Sequence, residues 1–169
     1  MLLSELARPT RHELIGRDVE VKEIVYNSRK VEEGDVFCCI VGTFADGHKY
    51  AQQAVDAGAA ALVVERKLDI DVPQILVEDT RIAMAEMAAA YYGYPSREMQ
   101  MIGVTGTNGK TSTTYMLKAI AERMGKKVGL IGTIRNMIGD IIIDTERTTP
   151  ESVDLQRILR QMKDEKVDV

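Results

Sequence analysis

An α/β architecture is what this sequence predicts, and three observations carry the expectation. Short apolar runs alternate with stretches of helical periodicity along the chain. Turn residues fall regularly between them, and a glycine-rich loop, Gly103-Val104-Thr105-Gly106-Thr107-Asn108-Gly109-Lys110-Thr111-Ser112, separates a predicted strand from a predicted helix.

Taken in order, Val19, Val21 and Val25 mark a first strand. After the turn Glu32-Glu33-Gly34-Asp35, the run Val36 to Val41 is continuously apolar, the pattern of a strand buried on both faces. From His48 to Ala57, Tyr50, Ala51, Ala54 and Val55 recur at helical spacing, and Gly58 is placed to end that helix in a left-handed conformation. Ala61 to Val64 and Ile75 to Val77 read as strands. Asp79 is the N-cap of a helix whose Ala83, Met84, Met87, Ala88 and Tyr91 share one face and which stops near Gly93. Pro95 disfavours helix at Tyr94, so the domain junction falls there, giving domains 1–95 and 96–169. Beyond it the pattern restarts, with a strand at Met99 to Thr105, a helix at Thr111 to Met124 and a strand at Lys127 to Ile131. Thr149 as N-cap and Pro150 at the first helical position open a last helix, burying Val153, Ile158, Leu159 and Met162. Val167-Asp168-Val169 reads as the start of a further strand, so the chain is expected to stop within a domain.

Composition excludes several function classes. No apolar run approaches the roughly 20 residues of a membrane-spanning helix, and Met1-Leu2-Leu3-Ser4-Glu5 does not open a secretory signal, which points to the cytoplasm without membrane insertion. There are 11 basic and 16 acidic residues up to Arg97, then 11 and 10 beyond it, with no Trp and two Phe. Such a chain has neither the charge nor the stacking platform to hold nucleic acid. Cys38 and Cys39, the two cysteines, are adjacent and point to opposite faces of an extended segment, as buried thiols rather than a disulfide framework. With two histidines far from them, a zinc site is not expected.

The loop at 103–112 has the chemistry of a phosphate cradle. Its glycines let backbone N–H groups turn inward around phosphate oxygens, and the following helix presents its positive end. Lys110 adds a mobile cation for the β and γ phosphates, and Thr111 supplies the hydroxyl that such loops give to Mg²⁺. The generic G-x-x-x-x-G-K-[ST] spacing is not met, because Val104 occupies its first glycine position. A second set of residues, Asn27-Ser28-Arg29-Lys30-Val31, then Gly34-Asp35-Val36-Phe37, then Gly42-Thr43-Phe44-Ala45-Asp46-Gly47-His48, acquires meaning from its order. Piece by piece these are a strand-end turn, a turn before a helix and a surface histidine near a helix start.

Together with Thr105 to Thr111, that order resembles the Mur ligase family, ATP-dependent amide-forming enzymes of bacterial cell-wall synthesis, over nearly the whole chain. Ser28-Arg29 through Asp46-Gly47-His48 to Gly58-Ala59 looks like the uridine-nucleotide-binding N-terminal domain of the family's third and fourth ligases. Thr148-Thr149-Pro150-Glu151-Ser152 with Leu155-Gln156 looks like the MurE branch, which adds the third amino acid to UDP-N-acetylmuramoyl-L-alanyl-D-glutamate. The resemblance therefore implies a small α/β UDP-sugar-binding domain followed by the opening of a P-loop, Rossmann-like ATP-binding domain. It implies that Tyr26, Ser28, Thr43, Phe44, Ala45, Thr148 and Thr149 bind the UDP-muramoyl-dipeptide, and that Gly106, Thr107, Asn108, Gly109, Lys110, Thr111 and Ser112 bind ATP. Lys110 takes the catalytic role and Thr111 the Mg²⁺ contact, and L-lysine or meso-diaminopimelate is the diamino acid added.

Family members continue with an acidic Mg²⁺ ligand, a modified lysine and an amino-acid-reading domain, none of which is in these 169 residues, and Asp168 precedes the position of that ligand. The expectation is a chain that binds but does not ligate, with association through the incomplete ATP domain or partial disorder after about Gly132. Two alternatives remain at this level: the fourth, D-Ala-D-Ala-adding ligase, and a generic P-loop phosphotransferase or NTPase.

Overall fold

Of the apolar run Val36 to Val41, Val36 to Cys39 lie fully buried while Val41 is exposed and the strand ends at Cys38 in a computed structural model of the chain, which describes residues 1–42, 45–143 and 150–169. The chain divides into two units, Met1–Tyr91 and Tyr92–Val169.

In the first unit, a five-stranded sheet has the order β1-β5-β4-β3-β2. Its strands are β1 (His12–Ile15), β2 (Ile24–Val25), β3 (Val36–Cys38), β4 (Ala61–Val64) and β5 (Gln74–Val77). β2 to β5 run parallel, in the register Ile24 to Val36, Val36 to Ala61 and Leu62 to Gln74, and β1 closes the far edge antiparallel to β5. Three helices accompany the sheet: α1 (Leu3–Ala7), α2 (Ala51–Asp56) and α3 (Thr80–Tyr91). Strand alternation sends Phe37, Cys39, Leu62 and Val64 into one cluster with Ala51 and Ala54 of α2. The other helical faces bury Leu3 and Leu6 on α1 and Ala83, Met84, Met87 and Ala88 on α3. Asp79 caps α3 as the sequence predicts, its Oδ1 accepting from Arg81 N–H at 2.8 Å and Ile82 N–H at 2.9 Å.

Two expectations for this unit are corrected. Val19 and Val21 lie outside any strand, because their backbone pairs with the N-terminus instead: Leu3 N–H donates to Val19 O at 2.9 Å and Val21 N–H to Met1 O at 2.8 Å. The helix expected from His48 divides into a 3₁₀ turn, Gly47–Tyr50, and then α2. Tyr50 is consequently exposed.

The second unit holds α4 (Lys110–Arg123), β6 (Gly129–Leu130), β7 (Asn136–Ile138), β8 (Ile141–Ile143) and α5 (Ser152–Asp164). β6, β7 and β8 form an antiparallel sheet, and α5 packs Ile158, Leu159 and Met162 into a cluster with Ile138 and Val167. The predicted buried face of α5 is found, with Val153, Ile158, Leu159 and Met162 all buried. Its start is later than expected: the N-cap is Glu151, extended at φ −66° and ψ 162°, which leaves Pro150 outside the helix. Thr149 lies outside the described residues.

The strand expected at Met99 to Thr105 does not form as a ladder. A strand exists only through its pairing, and among the described residues that amounts to Gln100 N–H donating to Asp168 O at 2.9 Å. Val167 to Val169, expected to begin a further strand, is not one either, although Asp168 N–H donates to Lys127 O and Gly129 N–H to Val169 O, both at 2.8 Å. Among the described residues no helix is long and apolar enough to cross a membrane.

Candidate functional site

In the first unit, the candidate residues gather where parallel strands end. Tyr26 follows directly on β2, and Ser28 opens a 3₁₀ turn, Ser28–Lys30, whose N-cap Asn27 accepts from Arg29 N–H at 3.1 Å. Ser28 Oγ donates to Gln53 Oε1 on α2 at 3.4 Å. Beyond β3 the chain turns between Val41 and Asp46, which pair with each other, while Gly42 N–H donates to Ala45 O at 2.8 Å. Since β2 and β3 are adjacent and parallel, Tyr26, Ser28 and Ala45 leave the sheet at its same carboxyl edge. That edge is where open parallel sheets bind ligands, because loops there diverge from a fixed scaffold. Thr43 and Phe44, expected at the same place, lie outside the described residues.

Asp46-Gly47-His48 is more than an ordinary turn with a surface histidine. His48 is buried at 6% exposure, and its ring is held from both sides. Nε2 accepts from Glu65 N–H at 2.9 Å, so the neutral ring carries its proton on Nδ1 and donates it to Asp46 Oδ1 at 2.6 Å. Asp46 also accepts from His48 N–H at 3.0 Å and from Arg66 at 2.6 Å. The Arg66 hydrogen bond, followed by those of His48, holds the Asp46 carboxyl well below the usual carboxylate range. Gly47 is required by space: a Cβ there would stand 2.7 Å from Ile40 N and 2.8 Å from Cys39 C, both backbone atoms that cannot yield. Cys38 and Cys39 are buried free thiols, as expected. Burial pushes both thiols up, that of Cys39 to about 12, and so removes them from nucleophilic chemistry at neutral pH.

In the second unit, the glycine-rich loop lies exposed ahead of α4. Gly109 sits at φ +78°, left-handed, as the residue before the helix, and no side chain caps the helix among the described residues. The first N–H groups of α4 are therefore offered outward, with the helix dipole behind them. Lys110 Nζ donates to Gly106 O at 2.6 Å, folding the cation across the loop. Gly106, Thr107, Asn108, Gly109, Lys110 and Ser112 are exposed, and Thr111 is half-buried. Beside the loop opens a cavity of about 300 Å³ whose lining includes Lys110, Thr111, Tyr115, Thr133, Arg135 and Pro150.

Thr133 and Arg135 are absent from the sequence reading. The signal for them was a hydroxyl and a cation in the turn just after a predicted strand. That turn is held by buried Asn136, whose Oδ1 accepts from Gly132 N–H at 3.0 Å. Thr148 and Thr149 lie outside the described residues, directly before Pro150. Asp168 is engaged locally, accepting from Lys127 N–H at 2.8 Å. No group of three or more His, Cys, Asp or Glu among the described residues is placed to hold a metal ion.

Comparison with known proteins bears on both halves. The family description "Mur ligase family, catalytic domain" matches residues 20–92, and "Mur ligase middle domain" matches residues 104–169. A Clostridium botulinum protein named UDP-N-acetylmuramoyl-L-alanyl-D-glutamate--2,6-diaminopimelate ligase is 53% identical over 154 residues, covering 88% of this chain and 32% of its own. A Bacillus velezensis protein of the same name is 45% identical over 163 residues, covering 96% of this chain and 33% of its own. Thus the chain spans about a third of the length of the curated relatives it matches. Among solved structures, a ligase of that name superposes with a TM-score of 0.79 over 99% of this chain and 34% of its own, at an identity of 24% that speaks to fold alone. The MurF ligase from Thermotoga maritima, in complex with ADP, gives a TM-score of 0.55 at 29% identity over 85% of this chain and 30% of its own.

Proposed function

The chain belongs to the Mur ligase family, and from that premise we propose that it is the substrate-binding and ATP-binding portion of a ligase that joins 2,6-diaminopimelate to UDP-N-acetylmuramoyl-L-alanyl-D-glutamate. Domain 1–95 takes the UDP-muramoyl-dipeptide and domain 96–169 takes ATP. One observation carries the reading of the first half: Tyr26, Ser28 and the turn that includes Ala45 leave adjacent parallel strands at one carboxyl edge. Thr43 and Phe44 stand between Gly42 and Ala45 in sequence and are assigned to the same ligand, and Thr148 and Thr149 are assigned to the dipeptide end of the substrate. For the second half, the left-handed Gly109, the uncapped start of α4 and the mobile Lys110 cation support ATP as the ligand. The names of the relatives support diaminopimelate rather than L-lysine as the added residue.

The proposed reaction breaks the bond between the γ-phosphorus of ATP and its bridging oxygen, releasing ADP, and forms an acyl phosphate on the free carboxylate of D-glutamate. The incoming amine attacks that carbonyl, inorganic phosphate leaves with the bonding pair, the amine loses a proton and an amide remains. Charge moves between phosphate and carboxylate oxygens, so the need is for positioned cations and N–H donors rather than a covalent nucleophile. Loop residues 106–112 orient the triphosphate, and Lys110 follows the γ-phosphate charge as it transfers. Thr111 is the hydroxyl that fits Mg²⁺. A single protein oxygen suits an ion that keeps its waters and leans on nucleotide phosphates, and the ion supplies charge neutralisation there.

Met116, Ile120 and Met124 on α4 are exposed at 65%, 57% and 73%. With one turn-and-a-bit between each, they form one stripe, which supports association of the 169-residue chain through this unit. The test is calorimetric titration with UDP-N-acetylmuramoyl-L-alanyl-D-glutamate and, separately, with ATP·Mg²⁺. Wild type should bind both, and Ser28→Ala should weaken the first about tenfold, the loss of one well-placed hydrogen bond in a partly desolvated site. ATP binding without UDP-sugar binding would return the generic P-loop phosphotransferase to first place.

A further inference from the structure

We infer that His48 is a positioning residue for the substrate site, fixing the chain at Asp46 from behind without itself meeting the ligand. The inference rests on the reading of the first unit as the UDP-sugar module and adds to it a residue that the resemblance leaves without a role. The turn has two ends. Its upstream end continues from β3, where Gly47 N–H donates back to Ile40 O at 2.9 Å. Its downstream end is Asp46, which pairs with Val41 and whose carboxylate accepts from His48 N–H and is further held through two residues that follow β4. Arg66 and the His48 ring each donate to the carboxylate at 2.6 Å, and the ring is anchored by Glu65 N–H at 2.9 Å.

The same Glu65 reaches further. Its Oε1 accepts from Thr80 N–H at 2.9 Å and Thr80 Oγ1–H at 2.8 Å, at the first residue of α3. Thr80 Oγ1 also lies 3.2 Å from Cys39 O, at the end of β3. The carboxyl ends of β3 and β4 and the start of α3 are thereby bound into one hydrogen-bonded chain, with the buried imidazole as the link that reaches the turn. A ligand gripped by backbone groups gains only what the backbone's fixed position allows. Removing the link leaves the Asp46 carboxylate to the exposed Arg66 and the backbone N–H of residue 48, a looser hold, although no group assigned to the ligand is altered.

The experiment titrates the 169-residue chain with UDP-N-acetylmuramoyl-L-alanyl-D-glutamate in wild type, His48→Ala, His48→Gln and Ser28→Ala, with ATP·Mg²⁺ as an internal control and thermal unfolding recorded for each. The expected result is a UDP-sugar Kd raised about tenfold or more in His48→Ala at a temperature where it is fully folded. ATP binding stays unchanged, and Kd is recovered in His48→Gln, whose amide can both accept from Glu65 N–H and donate to Asp46. Asp46→Asn, which keeps the shape and loses the charge facing Arg66, replaces His48→Ala should that variant not fold, with the same increase expected. Wild-type affinity in a folded but less stable His48→Ala, beside a weakened Ser28→Ala, overturns the inference and leaves the function standing. Failure of wild type to bind the UDP-sugar removes both.

Discussion

Helices α3 and α4 are of similar length, 12 and 14 residues. The first buries Thr80, Ala83, Met84, Met87 and Ala88, whereas the second buries none of its residues. The difference lies in the strands beside them. α3 belongs to a unit in which four strands, β2 to β5, pair in parallel and β1 closes the edge. α4 follows a segment, Met99 to Thr105, whose ladder among the described residues amounts to one hydrogen bond to Asp168. An amphipathic helix draws most of its stability from the surface it covers, so the two units differ in how much each of their residues contributes.

The largest expected effect takes that comparison directly. Met84→Ala should cost about 2–5 kcal/mol, since it empties volume inside a packed unit. Ile120→Ala, at 57% exposure, should stay within about 0.5 kcal/mol. Urea unfolding of the two variants at a concentration where the chain is monomeric measures both, and an equal cost there would mean that α4 has a face covered within the chain. A smaller effect comes from acid. Because the Asp46 carboxyl is held below the usual range, chiefly by Arg66, the folded state binds its proton less readily than the unfolded one. That contribution is complete above the ordinary carboxylate value of about 4 and is lost as pH falls through the lower folded value. With Arg66 half-exposed, the difference between wild type and Asp46→Asn over that acid window should be no more than about 1 kcal/mol. Acid titration of circular dichroism checks it, and parallel curves would deny the pairing.

Legibility in the sequence follows the same division. Val36 to Cys39, Ala61 to Val64, the Asp79 cap and the buried face of α5 could be read because each is fixed by its own side chains. β1 could not, since His12-Glu13-Leu14-Ile15 is only half apolar and becomes a strand by pairing with β5. The β7–β8 hairpin did carry a signal, Gly139-Asp140 between isoleucines with Gly139 at φ +58°, and it went unread. Local pattern also misplaced His48. Its ring is anchored by Glu65, which is distant in sequence and close only once β3 and β4 are paired. The glycine-rich loop was the reverse case, legible because its turn before α4 resides in consecutive residues.

The central claim is that each unit holds its own ligand, and amide hydrogen exchange with each ligand separately tests it most directly. UDP-N-acetylmuramoyl-L-alanyl-D-glutamate is predicted to slow exchange at residues 26–28 and 41–47 and leave 106–112 unchanged, while ATP·Mg²⁺ does the converse. Protection by the UDP-sugar confined to residues 106–112, or absent throughout the first unit, would contradict the account.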